Sequence, residues 1–131
     1  MFVKRSVKVK TSFKGLHCWP ECPIEEVAFL RDPHRHTFYV SVKMDVFHND
    51  REVEFFVLQM AINDIIKELY GDDQIKDLGR KSCEDIADEI HRALLVQYPR
   101  KMVIEVSEDN EVSAINEYSL PTYSRNTEDN G

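Results

Sequence analysis

The sequence predicts an α+β domain: a four-stranded antiparallel sheet with two helices on one face, in the order strand, strand, helix, helix, strand, strand. Three observations predict it. Residues 2–14 and 34–46 alternate apolar and polar side chains with the period of a half-buried strand. Two central stretches, from Glu54 to Tyr70 and from Ser82 to Pro99, instead place apolar residues three and four apart, the period of an amphipathic helix. Two shorter alternating stretches, 101–108 and 112–118, follow. Short turns favour antiparallel pairing within each strand pair, and the helices between them then cover one face.

In the first strand Val3, Val7, Val9, Thr11 and Phe13 share a face, with Arg5 the one charge on it, while Lys4, Ser6, Lys8, Lys10 and Ser12 share the other. His17 has the parity of Val9 and Phe13, although Gly15 offers a place for a bulge. Residues 16–33 hold Pro20, Pro23 and Pro33 without periodicity and read as a long loop. In the second strand Phe38, Val40, Val42, Met44 and Val46 fall on the side of His34 and His36. A turn at His48-Asn49-Asp50-Arg51 leads into the first helix, whose stripe is Leu58, Ala61, Ile62, Ile65, Ile66 and Leu69, with Gly71 just past its end. Ser82 caps the second helix, Asp85 sits in its first turn, and Ile86, Ala87, Ile90, Ala93 and Leu94 make its stripe before Pro99 stops it. In the third strand Met102, Ile104 and Val106 face one way and Lys101, Glu105 and Ser107 the other; Asp109-Asn110-Glu111 turns into the fourth. Residues 1–118 read as one domain and 119–131 as a polar, disordered tail.

At 131 residues the chain is long enough for one real core. The formal charge of −7 argues against a nucleic acid polymer as partner, and the lysines near the start are the solvent face of one strand. No apolar run approaches the roughly 20 residues of a membrane helix. Met1–Arg5 lacks the apolar stretch of a signal peptide. Three cysteines, Cys18, Cys22 and Cys83, are an odd number that suits a reducing compartment. The expectation is a cytoplasmic protein.

The chemistry is in three histidines. His34 and His36 leave their strand on the same side, one pleat apart, and a neighbouring strand carrying His17 would bring a third imidazole to them. Three neutral imidazoles with a fourth position open are a common way to hold a catalytic Zn2+. His48 and His91, at a strand end and beside the second helical stripe, do not join this pattern.

These residues resemble a known family. Phe13-Lys14-Gly15-Leu16-His17 matches the F-x-x-x-H element of the 6-pyruvoyltetrahydropterin synthase and 6-carboxytetrahydropterin synthase family. His34-Arg35-His36-Thr37-Phe38 is similar to its H-G-H-N/S-Y/F element, with Arg35 for the usual glycine. Asp50–Leu58 resembles the segment opening its first helix, with Glu54 for an aspartate; Ser82-Cys83-Glu84 resembles its T-S-E; and Val103–Glu108 resembles its third strand. The resemblance covers residues 1–118. It implies the tunnelling fold, a homo-oligomer that joins its sheets around a ring, often a hexamer, and zinc at His17, His34 and His36. It also implies a pterin or nucleotide ligand anchored by Glu108 and by the Ser82-Cys83-Glu84 turn. Parity supports Glu108 separately: it shares the face of Met102, Ile104 and Val106, where a carboxylate needs a partner such as the paired N–H groups of a 2-aminopyrimidinone edge.

The proton-handling groups depart from the family. Leu30 stands four residues before His34, where members carry a cysteine base, and Glu68–Asp73 replaces the L-D-H element. Within the 16–33 loop, Cys22 and Glu25 are the candidate catalytic replacements. The implied function is a zinc-dependent lyase acting on dihydroneopterin triphosphate or a related pterin or purine nucleotide. The alternative is a non-catalytic protein that keeps the pocket and sequesters a pterin, guanine-like or nucleotide ligand.

Overall fold

The computed structural model describes residues 2–120. β1 (Arg5–His17) pairs antiparallel with β2 (His34–Val46) in unbroken register from Arg5 opposite Val46 to His17 opposite His34. No bulge forms at Gly15, which pairs with His36. The glycine answers a packing demand instead, since a Cβ there would sit 2.7 Å from Leu78 Cδ1 and 3.1 Å from Phe38 Cε2. The uninterrupted register carries the inward parity of Val9 and Phe13 through to His17.

Residues 18–33 are not wholly irregular. Glu25–Arg31 form a short 3-10 helix with no buried residue, so it left no apolar period to read. α1 (Phe55–Tyr70) starts where Glu54 accepts the N–H groups of Phe56 and Val57 at 3.0 and 3.1 Å. It buries Leu58, Ile62, Ile65 and Ile66, but Leu69, expected in the stripe, stays on the surface. Gly71 follows with φ +89°, a conformation that favours glycine. α2 (Cys83–Gln97) opens with a reciprocal cap in which Asp85 N–H donates to Ser82 Oγ and Ser82 N–H to Asp85 Oδ2, both at 3.0 Å.

The sheet has five strands, not four, and is not wholly antiparallel. Ile75–Asp77 form β3, which runs parallel to β1 along Lys14–Leu16. Three residues joined through the backbone are too few to show a side-chain period, so the sequence pattern hid this edge strand. With β4 (Met102–Glu108) and β5 (Val112–Tyr118), the order across the sheet is β3-β1-β2-β4-β5. The core lies between the helices and the inward face, where Phe38, Val40, Val42, Met44, Ile104 and Val106 are fully buried. Each such side chain contributes about 1.5–3 kcal/mol relative to exposure. Among the described residues no helix is long and apolar enough to cross a membrane. Of the tail expected over residues 119–131, residues 121–131 lie outside the described residues.

Candidate functional site

The register of β1 against β2 makes His17 and His34 direct cross-strand neighbours, and the pleat adds His36 on the same face. Their ring centroids lie 4.6 Å (His17 to His34), 5.0 Å (His34 to His36) and 5.4 Å (His17 to His36) apart. One nitrogen from each ring lies within 4.8 Å of the other two. Below them the buried Phe38 ring meets His17 and His36 edge to face, at 5.1 and 5.8 Å.

Hydrogen bonds determine which nitrogens face the centre. His17 Nδ1 lies 2.9 Å from the Lys81 carbonyl, His34 Nδ1 2.9 Å from the Asp32 carbonyl, and His36 Nδ1 2.7 Å from Asp109 Oδ2. An oxygen acceptor at Nδ1 keeps the proton there and leaves Nε2 as a bare lone pair. All three Nε2 atoms are buried and without a hydrogen-bond partner. Three inward lone pairs, each ring held from behind, make a donor set that suits a divalent zinc-like ion.

Glu108 joins the cluster because β4 pairs with β2 so that Glu108 stands opposite Phe38. Its Oε2 lies 3.0 Å from His17 Nε2 and its Oε1 3.6 Å from His36 Nε2, so a carboxylate stands beside two of the three inward nitrogens. The Cys83 thiol donates to Oε2 at 3.7 Å. His17 holds the Glu108 carboxyl below the usual carboxylate range, against the opposing effect of burial. Burial is the largest influence on His17 and disfavours its charged ring, but Glu108 and the Lys81 carbonyl outweigh it and raise its pKa. Burial first, then the Glu108 charge, push the Cys83 thiol up to about 12, so it stays protonated.

Beside the histidines opens a cavity of about 670 Å³, walled by Trp19 and Leu30 on one side and by Cys83, Glu84 and Glu108 on the other. Ser82 also lines it, so the turn expected to touch a ligand borders the same space as the histidines. Cys22 and Glu25 do not line it. Cys22 is buried with its thiol toward the Ile24 and Val27 carbonyls at 3.7 and 3.9 Å, and Glu25 pairs with Arg31 at 2.9 Å. Asp109 is the residue the sequence pattern does not single out, since it stands in the turn before the last strand. Besides meeting His36, its Oδ1 accepts the Thr37 N–H at 2.9 Å. The signal was available in the strand register, because the residue after Glu108 must fall beside Thr37 once Glu108 stands opposite Phe38.

No protein-family model matches the sequence, and no curated protein matches it. Solved structures do match. A 6-pyruvoyl tetrahydropterin synthase from Plasmodium falciparum aligns over 89% of this chain and 99% of its own, at 17% identity and a TM-score of 0.67. The Caenorhabditis elegans enzyme aligns over 91% of this chain and 100% of its own, at 13% identity and a TM-score of 0.62. An uncharacterized protein from Wolinella succinogenes covers 90% of this chain and 100% of its own, at 11% identity and 0.66. The chain has the 6-pyruvoyl tetrahydropterin synthase fold. This pterin synthase fold accounts for the element order and for a five-stranded sheet that brings β1, β2 and β4 to one cluster of imidazoles and a carboxylate.

Proposed function

We propose that the chain binds zinc through His17, His34 and His36 and acts as a lyase of the pterin synthase type on dihydroneopterin triphosphate or a related pterin or purine nucleotide. The observation that carries this reading is the set of three buried, unpartnered Nε2 atoms beside Glu108. A zinc ion bound there supplies Lewis-acid polarisation of the ligand's side-chain oxygens. The remaining work belongs to the chain. Glu108 offers two acceptor oxygens to the paired N–H donors of a 2-aminopyrimidinone edge. The main-chain N–H groups of Cys83 and Glu84, in the first turn of α2, have no intrahelical partners, and both residues line the cavity. Trp19 and Leu30 present apolar walls to a flat ring, and the volume is that of an ordinary small-molecule site. For the proton step Glu25 is a better candidate than Cys22, because its carboxylate is exposed and the Cys22 thiol is buried against carbonyls. A glutamate described as a catalytic residue in a Plasmodium vivax 6-pyruvoyltetrahydropterin synthase supports a carboxylate in that role.

A second reading, a non-catalytic protein that sequesters a pterin, guanine-like or nucleotide ligand, is favoured by one observation: Leu30 lines the cavity where the family has its base, and neither Cys22 nor Glu25 does. A homo-oligomeric ring, such as a hexamer, is supported by the sheet edges. β3 covers β1 only along Lys14–Leu16, and β5 closes the other side with one free edge. Native mass spectrometry of the purified protein, followed by incubation with dihydroneopterin triphosphate, tests these readings. One zinc per chain and turnover that Glu25→Gln slows without releasing metal support the lyase. A retained ligand and no product after long incubation support sequestration, and a metal-free chain that takes up no added zinc removes both.

A further inference from the structure

We propose that Asp109 is a positioning residue of the metal centre: its carboxylate fixes the tautomer and aim of His36 and places a negative charge behind that ring. The inference rests on the metal reading of the three histidines and adds to it. The rings differ in what holds them. His17 and His34 lean on main-chain carbonyls, those of Lys81 and Asp32, which exist whatever residue occupies those positions. His36 leans on a side chain, so here the sequence itself must supply the acceptor.

The geometry demands a carboxylate. Oδ2 lies 2.7 Å from His36 Nδ1 while Oδ1 accepts the Thr37 N–H at 2.9 Å, so two donors converge on one side chain. Asparagine offers a single oxygen, and its NH2 group would then face one of those donors. The backbone is fitted to the same end. Asp109 and Asn110 have φ of +56° and +61°, and the Glu111 N–H bonds the Glu108 carbonyl at 3.0 Å, the pattern of a type I′ hairpin turn. Such turns are built from glycine, asparagine and aspartate, the residues that enter the left-handed region most readily, so Asp-Asn suits this one. The Asp109 N–H also donates to the Thr37 carbonyl at 2.8 Å, which clamps the carboxylate beside His36.

The chemical consequence concerns ligand strength. A carboxylate on the remote nitrogen makes an imidazole a more basic donor and prevents the ring from rotating its N–H toward the cation. Because Asp109 directly follows Glu108, one hairpin sets both the aim of His36 and the position of the carboxylate beside it.

The test is zinc affinity of the full chain, measured by competition with a chromophoric chelator, together with 15N spectra of the histidine rings in zinc-free protein. The variants are Asp109→Asn, Asp109→Ala and Asn110→Gly. Both Asp109 variants are expected to bind zinc about 10- to 100-fold more weakly. Asn110→Gly relaxes the same turn without touching His36 and is expected to bind as wild type does. The wild-type spectrum should show the His36 proton on Nδ1, and the Asp109 variants a redistribution toward Nε2. Asp109 variants that match wild-type affinity overturn the inference, as does an Asn110→Gly loss of equal size, or a wild-type His36 protonated at Nε2. Failure of wild type to bind zinc overturns the metal reading as well, whereas tight binding by wild type and Asp109 variants alike overturns this inference alone.

Discussion

Beyond Val46, at one end of β2, Glu52 accepts the Phe47 N–H at 2.8 Å and pairs with Arg100, which also donates to the Asp45 carbonyl at 3.1 Å. At the other end, His17, His34 and His36 keep their Nε2 atoms buried and unpartnered. Both ends bring ionisable groups to a strand terminus under a loop. The Val46 end joins its groups to one another: Phe47 and Arg100 hold the Glu52 carboxyl below its usual range, and only Arg100 Nε is left without a partner. The His34 end satisfies the back of each ring and leaves the front open. An unpaired buried polar atom costs about 1–3 kcal/mol. At the His34 end the group nearest to the His17 and His36 Nε2 atoms is the Glu108 carboxylate, at 3.0 and 3.6 Å, and His34 Nε2 has no partner of its own.

The largest test of that contrast is Phe38→Ala. The ring is fully buried, stacks on Phe13 at a centroid distance of 5.5 Å and supports His17 and His36 from below. Urea unfolding should show a loss of about 3–5 kcal/mol, and zinc affinity should fall with it. Its counterpart is Glu52→Gln at the other end, which should lower the melting temperature yet leave zinc affinity within about twofold, since distant sites act independently. Equal loss of zinc in both variants would show that the two ends are not separable.

A smaller effect is expected from Gly15→Ala, whose new Cβ meets Leu78 and Phe38. It should cost about 1–3 kcal/mol by chemical denaturation, and wild-type stability would refute the packing account of this glycine.

The smallest effect is in pH. In metal-free protein His17 has a folded pKa above the ordinary histidine value of 6.5, so its contribution to stability is complete below that pH and is lost as pH rises through the folded value. Glu108 has a folded pKa below the ordinary glutamate value of 4.5, so its contribution is complete above that pH and is lost as pH falls through the folded value. This pair therefore favours the metal-free fold most between those two values. Zinc, which competes with protons for the imidazoles, should move the stability optimum upward. Melting curves from pH 4 to 8 with and without zinc check both signs, and an optimum that zinc does not move contradicts the shared site.

Period-two and period-3.6 patterns made most of the scaffold legible in the sequence. The parity of His34 with Phe38 and Val40, and of His17 with Phe13, already placed three imidazoles on the inward face, and the structure brings them together. The unread features lack a side-chain period. β3 consists of three residues held by backbone pairing, and the Glu25–Arg31 helix buries none of its residues. Leu69 kept the helical spacing but is 42% exposed, while its neighbour Tyr70 takes the inward place and stacks on Phe13 at 5.9 Å. Asp109 was hidden for a different reason: a turn residue between a glutamate and an asparagine reads as solvent-facing until the strand register is known.

The segment from Leu78 to Lys81 laces β1 to the start of α2. The Leu78 N–H bonds the Leu16 carbonyl at 2.8 Å, the Cys18 N–H bonds the Gly79 carbonyl at 2.9 Å, and the Lys81 carbonyl holds His17, one residue before Ser82 caps the helix. So short a tether makes the start of α2 and the His17 imidazole one mechanical unit. Any displacement of the Ser82 cap carries the Lys81 carbonyl with it, and with that carbonyl the acceptor that orients the His17 ring.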